Sequence, residues 1–157
     1  MRLCFNIELP DSDLRVGIAD MTNRSLAGYS GRQYKRFFPL VMSLELLCKV
    51  NEWQLARFAR EGKTVAPLYR SGVYYQAEPP GEEEWLDIPS LYKQGFGDCE
   101  DLACARVAEL RCQGIAAVPA IRHKKFGQLT LVHVLVLWPD GTVEDPSKLL
   151  GMKGEYQ

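Results

Sequence analysis

The chain has 157 residues, of which 46% are hydrophobic and 25% are charged, and its formal net charge is −1. This length suits one domain with a sizeable core, so residues 1–157 are predicted to form a single domain. The near-neutral charge argues against nucleic acid or an anionic membrane as a partner.

The N-terminal segment "MRLCFNIELP" contains no apolar core of signal-peptide length, and no stretch approaches the roughly 18 apolar residues of a membrane span. A cytoplasmic protein is therefore expected. There are five cysteines, an odd number, and no CxxC pair. This pattern favours reduced thiols over a disulfide framework or a zinc ribbon, and no metal or other cofactor is predicted.

The first part of the chain predicts one strand and a long helix. Residues 2–9, "RLCFNIEL", alternate between apolar and polar side chains, as a half-buried strand does. Residues 11–36 remain ambiguous between a helix that opens at "DSDL" and a turn at "GYSG". Residues 36–61 place apolar side chains at helical spacing, and Gly62 ends the pattern.

The pattern is weaker between residues 64 and 84. The segment "TVAPLYRSGVYYQ" predicts an edge strand or a structured loop, because Pro67 and Gly72 interrupt it. The segment "AEPPGEEE", residues 77–84, predicts a solvated loop, and the alternative is that its glutamates line a groove.

The segment "GFGDCEDLACARVAELRCQGI", residues 95–115, predicts a helix that begins at Cys99. Asp98 is a good N-cap, and Asp101 stands at the third helical position, which makes a variant of the capping box. The positive end of a helix favours a thiolate, although Glu100 and Asp101 oppose that field locally. Cys99 is therefore a candidate nucleophile, and the alternative is one more buried thiol.

Two further features precede Cys99. Gly95 and Gly97 would let the backbone turn tightly and approach whatever occupies the site. Gln94 is a candidate oxyanion donor together with the Cys99 backbone N–H, and the alternative is a surface glutamine.

The two histidines fall in different settings. His123 belongs to the basic run "RHKK", residues 122–125, which we interpret as a solvated turn. His133 lies in the long apolar, β-branched run "QLTLVHVLVLW", which predicts a central strand. It is a candidate base, and the alternative is a hydrogen-bonded histidine of the core.

A turn sequence then relates His133 to a carboxylate. "WPDGTV" favours a three-residue loop with a bulge at the glycine, which pairs Trp138 with Thr142 and places Asp145 opposite Leu135. Because side chains alternate along a strand, Asp145 then shares a face with His133 and is its diagonal neighbour. An imidazole oriented by a carboxylate can activate a thiol, so Cys99, His133 and Asp145 are predicted to form a catalytic triad.

The sequences "GDCEDLACARVAELRCQGIAAVPAIR" and "VHVLVLWPDGTVEDPS" resemble the transglutaminase-like branch of the papain-like cysteine enzymes, and small bacterial and bacteriophage members in particular. The resemblance covers about residues 85–150, the predicted core, and leaves residues 1–84 as an N-terminal extension. It implies Cys99 as the nucleophile, His133 as the base and Asp145 as the orienting acid. The chain departs from the family in having Leu135 where many members have an aromatic residue.

The expected fold is α+β, with the helix that bears Cys99 packed on an antiparallel sheet and helices from residues 11–61 on the flank. The resemblance implies a cysteine-dependent amide or peptide hydrolase that acts through a thioester on a protein or peptide substrate. Two alternatives are a non-catalytic phage or bacterial binding or structural module with the same fold, and an amine-using transglutaminase or other acyltransferase.

Overall fold

The computed structural model describes residues 4–6, 31–79, 83–126 and 129–154, and it has an α+β architecture. In chain order the elements are β1 (Cys4–Asn6), α1 (Gly31–Arg60), β2 (Tyr74–Tyr75), β3 (Glu84–Leu86), α2 (Ile88–Gln94), β4 (Phe96–Gly97), α3 (Cys99–Cys112), β5 (Val118–Phe126), β6 (Leu129–Leu137), β7 (Val143–Glu144) and α4 (Pro146–Leu149).

The main sheet is antiparallel, with the order β5-β6-β7, so the strand that carries His133 is central as predicted. Two small parallel pairs, β1 with β3 and β2 with β4, lie outside this sheet. Helix α3 packs on β6, as expected for the helix that bears Cys99.

Helix α3 is buried on almost every side because it separates two hydrophobic clusters. Ala103, Cys104 and Val107 face a cluster that α1 and β6 complete. Leu102 and Ala105 face a second cluster, which α2 and the segment around Leu68 complete. Four of the fourteen residues of α3 are alanine or valine and three are cysteine, and side chains of this size let neighbouring elements pack closely.

Helix α1 confirms the helix predicted over residues 36–61, although it begins at Gly31. Its end is a left-handed turn at Gly62 (φ +68°), where the Lys63 N–H donates to the Phe58 carbonyl. The strand predicted over residues 2–9 is confirmed for Cys4–Asn6, which pair with Glu84–Leu86. Of the ambiguous residues 11–36, residues 31–36 belong to α1, and residues 11–30, like the remainder of that first strand, lie outside the described residues.

The segment between residues 64 and 84 contains a 3-10 turn at Leu68–Arg70 and the two-residue strand β2. The loop predicted over residues 77–84 ends one residue early, because Glu84 begins β3, and residues 80–82 lie outside the described residues. Helix α2 was not predicted. Its N-cap, Asp87, accepts a hydrogen bond from the Ser90 N–H at 3.0 Å.

The interpretation of residues 122–125 as a turn is wrong. These residues continue β5, and His123 pairs with Val132 across a long hairpin. Pairing with β6 therefore decides the conformation of this basic run, despite its polar side chains.

Candidate active site

Cys99 is the first residue of α3, and the predicted capping box is present. The Asp98 side chain accepts from the backbone at the third helical position, and the Asp98 N–H donates to Asp101 Oδ2 at 3.4 Å. The other oxygen of Asp101 accepts from the Leu86 N–H at 2.7 Å. Asp101 therefore caps the helix and also ties its first turn to β3.

The two glycines before Cys99 are needed for reasons internal to the fold. Gly95 ends α2 in the left-handed region (φ +84°). A Cβ on Gly97 would lie 2.6 Å from Leu91 Cδ1 and 2.9 Å from Asp101 Oδ2. The close approach that Gly97 permits is thus to the neighbouring helices, rather than to a substrate.

The half-buried Cys99 thiol donates a hydrogen bond to Glu100 Oε2, with the sulfur 2.8 Å from the oxygen. Burial raises the pKa of Cys99 well above its ordinary value, and the charges of Glu100 and Asp98 raise it further. A hydrogen bond from the Val134 backbone N–H acts in the opposite direction. The helix-end effect that favours a thiolate is therefore outweighed, and the resting side chain is a thiol.

Three carboxyl groups surround the start of α3. Burial raises the pKa of Asp98, Glu100 and Asp101, and repulsion among these groups raises the same pKa values further. The nearby carboxyl group of Glu83 raises the pKa of Glu100 as well. The sequence showed the acidic residues next to Cys99, but it contained no signal that they would be buried together.

His133 and Asp145 are in direct contact. The Nε2 atom of His133 lies 3.2 Å and 3.1 Å from the two carboxylate oxygens of Asp145. His133 is only 5% exposed, so this contact is shielded from water. Because a carboxylate only accepts hydrogen bonds, Nε2 is the donor in this contact, and in the neutral form of the ring the lone pair is on Nδ1.

The predicted register is confirmed as far as Glu144, but the predicted pairing of Asp145 with Leu135 is wrong, because β7 ends at Glu144 and Asp145 reaches His133 from the start of α4. Leu137 pairs with Val143, Val136 pairs with Glu144, and the Trp138 N–H donates to the Thr142 carbonyl at 2.8 Å. Beyond Glu144 the chain leaves the strand, and Asp145 caps α4 by accepting from the Lys148 N–H at 3.2 Å. Asp145 thus serves both as a helix cap and as the partner of His133.

The hairpin is anchored to α3 through Glu144, a group of contacts that sequence reasoning missed. Glu144 accepts from Arg106 Nε at 2.8 Å and from Trp138 Nε1 at 2.9 Å, and the Tyr69 hydroxyl donates to it as well. Because Glu144 directly precedes Asp145, these three donors restrain the backbone that carries the partner of His133. Trp138 belongs to the same hairpin, but Arg106 and Tyr69 lie 38 and 75 positions away in the chain, so no local pattern predicts their contacts.

Of the four candidate residues, the structure joins His133 to Asp145 by direct contact, and it packs Cys99 against the cluster that includes Val134 of the same strand. Gln94 differs, because its side chain is exposed and its amide nitrogen donates to the Phe96 carbonyl at 3.1 Å. This local hydrogen bond does not point to the Cys99 backbone. The oxyanion role of Gln94 stays a prediction.

Among the residues whose side chains are described, the four cysteines are free thiols, and no group of three or more His, Cys, Asp or Glu residues is arranged to hold a metal ion. Across the described ranges, every helix is too short or too polar to cross a membrane. Comparison with protein-family models, curated proteins and solved structures finds no significant match to this chain.

Proposed function

We propose that this protein is a cysteine-dependent amide or peptide hydrolase, built on a papain-like core of the transglutaminase-like type. The observation that carries the proposal is the contact of His133 Nε2 with the Asp145 carboxylate at 3.1 Å. Cys99 packs against the hydrophobic cluster that contains Val134, the residue after His133. A thiol, an imidazole and a carboxylate on adjoining segments are the components of acyl transfer through a thioester.

In the proposed reaction, Asp145 holds the imidazole so that Nδ1 of His133 can accept the thiol proton. The Cys99 sulfur attacks the amide carbonyl, the amine leaves with a proton from the imidazolium, and water hydrolyses the thioester. Because burial raises the pKa of Cys99, the resting residue is a thiol, and the proposed reaction transfers its proton to His133 as the sulfur attacks. The thiol would then exchange Glu100 for His133 as its acceptor. Hydrolysis is preferred over amine transfer because water needs no second binding site.

A non-catalytic binding module is the second candidate, and one observation favours it. The thiol is engaged by Glu100, and its pKa is raised rather than lowered. Activated cysteine nucleophiles have lowered pKa values. A module that keeps the fold without turnover would show this arrangement permanently, whereas a hydrolase would show it only at rest.

The deciding experiment compares three proteins on casein and on a panel of fluorogenic peptide amides. The wild type and the Cys112→Ala variant are expected to release product, whereas Cys99→Ala is expected to be inactive. Cys112 is a matched control because it is an exposed thiol on the same helix. Turnover that survives in Cys99→Ala would refute the proposal. A wild type that binds a partner without turnover would favour the second candidate, and a labelled amine added to the same reactions separates hydrolysis from crosslinking.

A further inference from the structure

The short strand β2 joins the two segments that carry the proposed site. On one side Tyr75 pairs with Gly97, which stands two residues before the nucleophile. On the other side the Tyr75 N–H donates to the Leu150 carbonyl at 2.9 Å, directly after the helix that Asp145 caps. The backbone of Tyr75 is therefore held between the start of α3 and the end of α4.

The side chain of Tyr75 is half-buried, and its ring packs against the cluster that contains Leu91 and Leu102. The acidic groups close enough to influence its phenol include both Cys99 and Asp145. Burial and these charges raise the pKa of Tyr75 to about 12. The phenol consequently keeps its proton near neutral pH and can donate a hydrogen bond, and the backbone pairing of β2 puts its residue next to the segment that leads into Cys99.

We propose that the Tyr75 hydroxyl donates a hydrogen bond to the oxyanion that forms when Cys99 attacks a carbonyl, which makes Tyr75 a catalytic residue. This inference rests on the proposed function and deepens it. It assigns to Tyr75 the role for which the sequence suggested Gln94, whose amide nitrogen is hydrogen-bonded to the Phe96 carbonyl.

Attack of Cys99 on the carbonyl and collapse to the thioester need no reactant other than the substrate and the residues already named. A bond forms between Cys99 Sγ and the carbonyl carbon, the π-electron pair of the carbonyl moves to its oxygen, and the thiol proton passes to His133 Nδ1. Tyr75 keeps its proton and donates it in a hydrogen bond to the negative oxygen. When the electron pair returns, the carbon–nitrogen bond breaks. The imidazolium proton then goes to the leaving amine, and the thioester remains.

The test uses the intact protein and two probes of Cys99. N-acetylglycinal, labelled with carbon-13 at the aldehyde, forms a hemithioacetal whose oxygen occupies the oxyanion position, and nuclear magnetic resonance measures its dissociation constant. Iodoacetamide alkylates the same sulfur at a saturated carbon and develops no oxyanion. Cys99→Ala identifies the signal that belongs to Cys99.

Tyr75→Phe keeps the packed ring and removes only the hydroxyl, and its thermal unfolding midpoint checks that the fold is retained. The hemithioacetal of Tyr75→Phe is expected to dissociate about 10- to 100-fold more readily, since an oxyanion donor is lost. The iodoacetamide rate is expected to stay within about twofold of the wild type, because that reaction needs no such donor. Tyr74→Phe, which alters the adjacent and exposed ring, is expected to change neither quantity.

If Tyr75→Phe weakens the hemithioacetal and slows iodoacetamide alkylation by the same factor, the assignment is overturned, because Tyr75 would then act on the thiol itself. An unchanged hemithioacetal in Tyr75→Phe, or a wild type that is alkylated at Cys99 but forms no hemithioacetal, would also overturn it. These failures differ from failure of the proposed function. Turnover that persists in Cys99→Ala refutes the hydrolase, whereas Cys99-dependent turnover with an unchanged Tyr75→Phe adduct refutes only the role of Tyr75.

Discussion

Replacing Glu100 with glutamine should convert the resting thiol of Cys99 into a more reactive one. The Cys99 sulfur lies 2.8 Å from Glu100 Oε2, and the carboxylate both accepts the thiol proton and repels the thiolate. Glutamine has nearly the same shape, removes the charge and can donate a hydrogen bond to a thiolate. The pKa of Cys99 is therefore expected to fall in Glu100→Gln.

The size of the change follows from the interaction that is lost. A hydrogen bond to a charged group contributes about 1.5–3 kcal/mol. At about 1.4 kcal/mol per pKa unit, this lowers the pKa of Cys99 by roughly one to two units. The thiolate fraction then rises about 10- to 100-fold, but each thiolate is less nucleophilic, with a Brønsted coefficient of about 0.4–0.5. The net gain in alkylation rate at pH values below both pKa values is about 3- to 10-fold.

The assay is iodoacetamide alkylation across a pH series, followed by mass spectrometry of the peptide that contains Cys99. Resolution by peptide is needed because Cys112 is exposed and also reacts. The midpoint of the Cys99 rate profile should move to lower pH in Glu100→Gln. Glu61→Gln is the matched control, since it removes one negative charge from the exposed turn after α1.

Two results would refute this reasoning. A midpoint that does not move, while the far-ultraviolet spectrum and unfolding midpoint stay normal, would mean that Glu100 does not set the pKa of Cys99. The same shift in Glu61→Gln would mean that net charge, rather than the contact with Glu100, is responsible.

Three further predictions concern the site and the fold. Asp145→Asn should lower kcat on any amide substrate by about 10²- to 10⁴-fold, because His133 loses its orienting carboxylate; an unchanged kcat would contradict this. Arg111→Met should lower the free energy of unfolding in urea by about 3–5 kcal/mol, since it strips the buried Glu45 of hydrogen bonds at 2.9 and 3.1 Å, and adding Glu45→Gln should restore part of the loss. Because burial raises the pKa of Glu100, the folded state binds more protons than the unfolded state, so this group destabilises the fold increasingly as pH rises above about 4–5. Glu100→Gln should therefore stabilise the protein more at about pH 8 than at about pH 5 in thermal unfolding, and an equal effect at both pH values would rule out this linkage.

The start of α3 shows how far local sequence determines a site. The N-cap Asp98 and the third helical residue Asp101 are close in sequence, and their hydrogen bonds close within one turn, so the pattern predicts them. The second hydrogen bond of Asp101, which it accepts from the Leu86 N–H, joins residues that are fifteen positions apart, and the local sequence does not predict it.

The pKa of Cys99 likewise depends partly on local sequence and partly on tertiary structure. Position at a helix N-terminus predicts a lowered pKa, and this effect is a property of local backbone. Burial and the orientation of Glu100 depend on how α3 is enclosed, and they raise the pKa instead. A desolvated thiol beside a carboxylate is governed by its surroundings, because the low local dielectric strengthens every nearby charge.

The sequence by itself determined the helix that begins at Cys99, the central strand and the turn whose register pairs Val136 with Glu144, the residue before Asp145. These features follow from capping, alternation and turn chemistry, which act over a few residues. Only the tertiary structure decided the protonation of Cys99, the anchoring of Glu144 and the placement of Tyr75 between two distant segments. Those features depend on contacts between residues far apart in the chain, and burial determines how strongly the charged groups in those contacts interact.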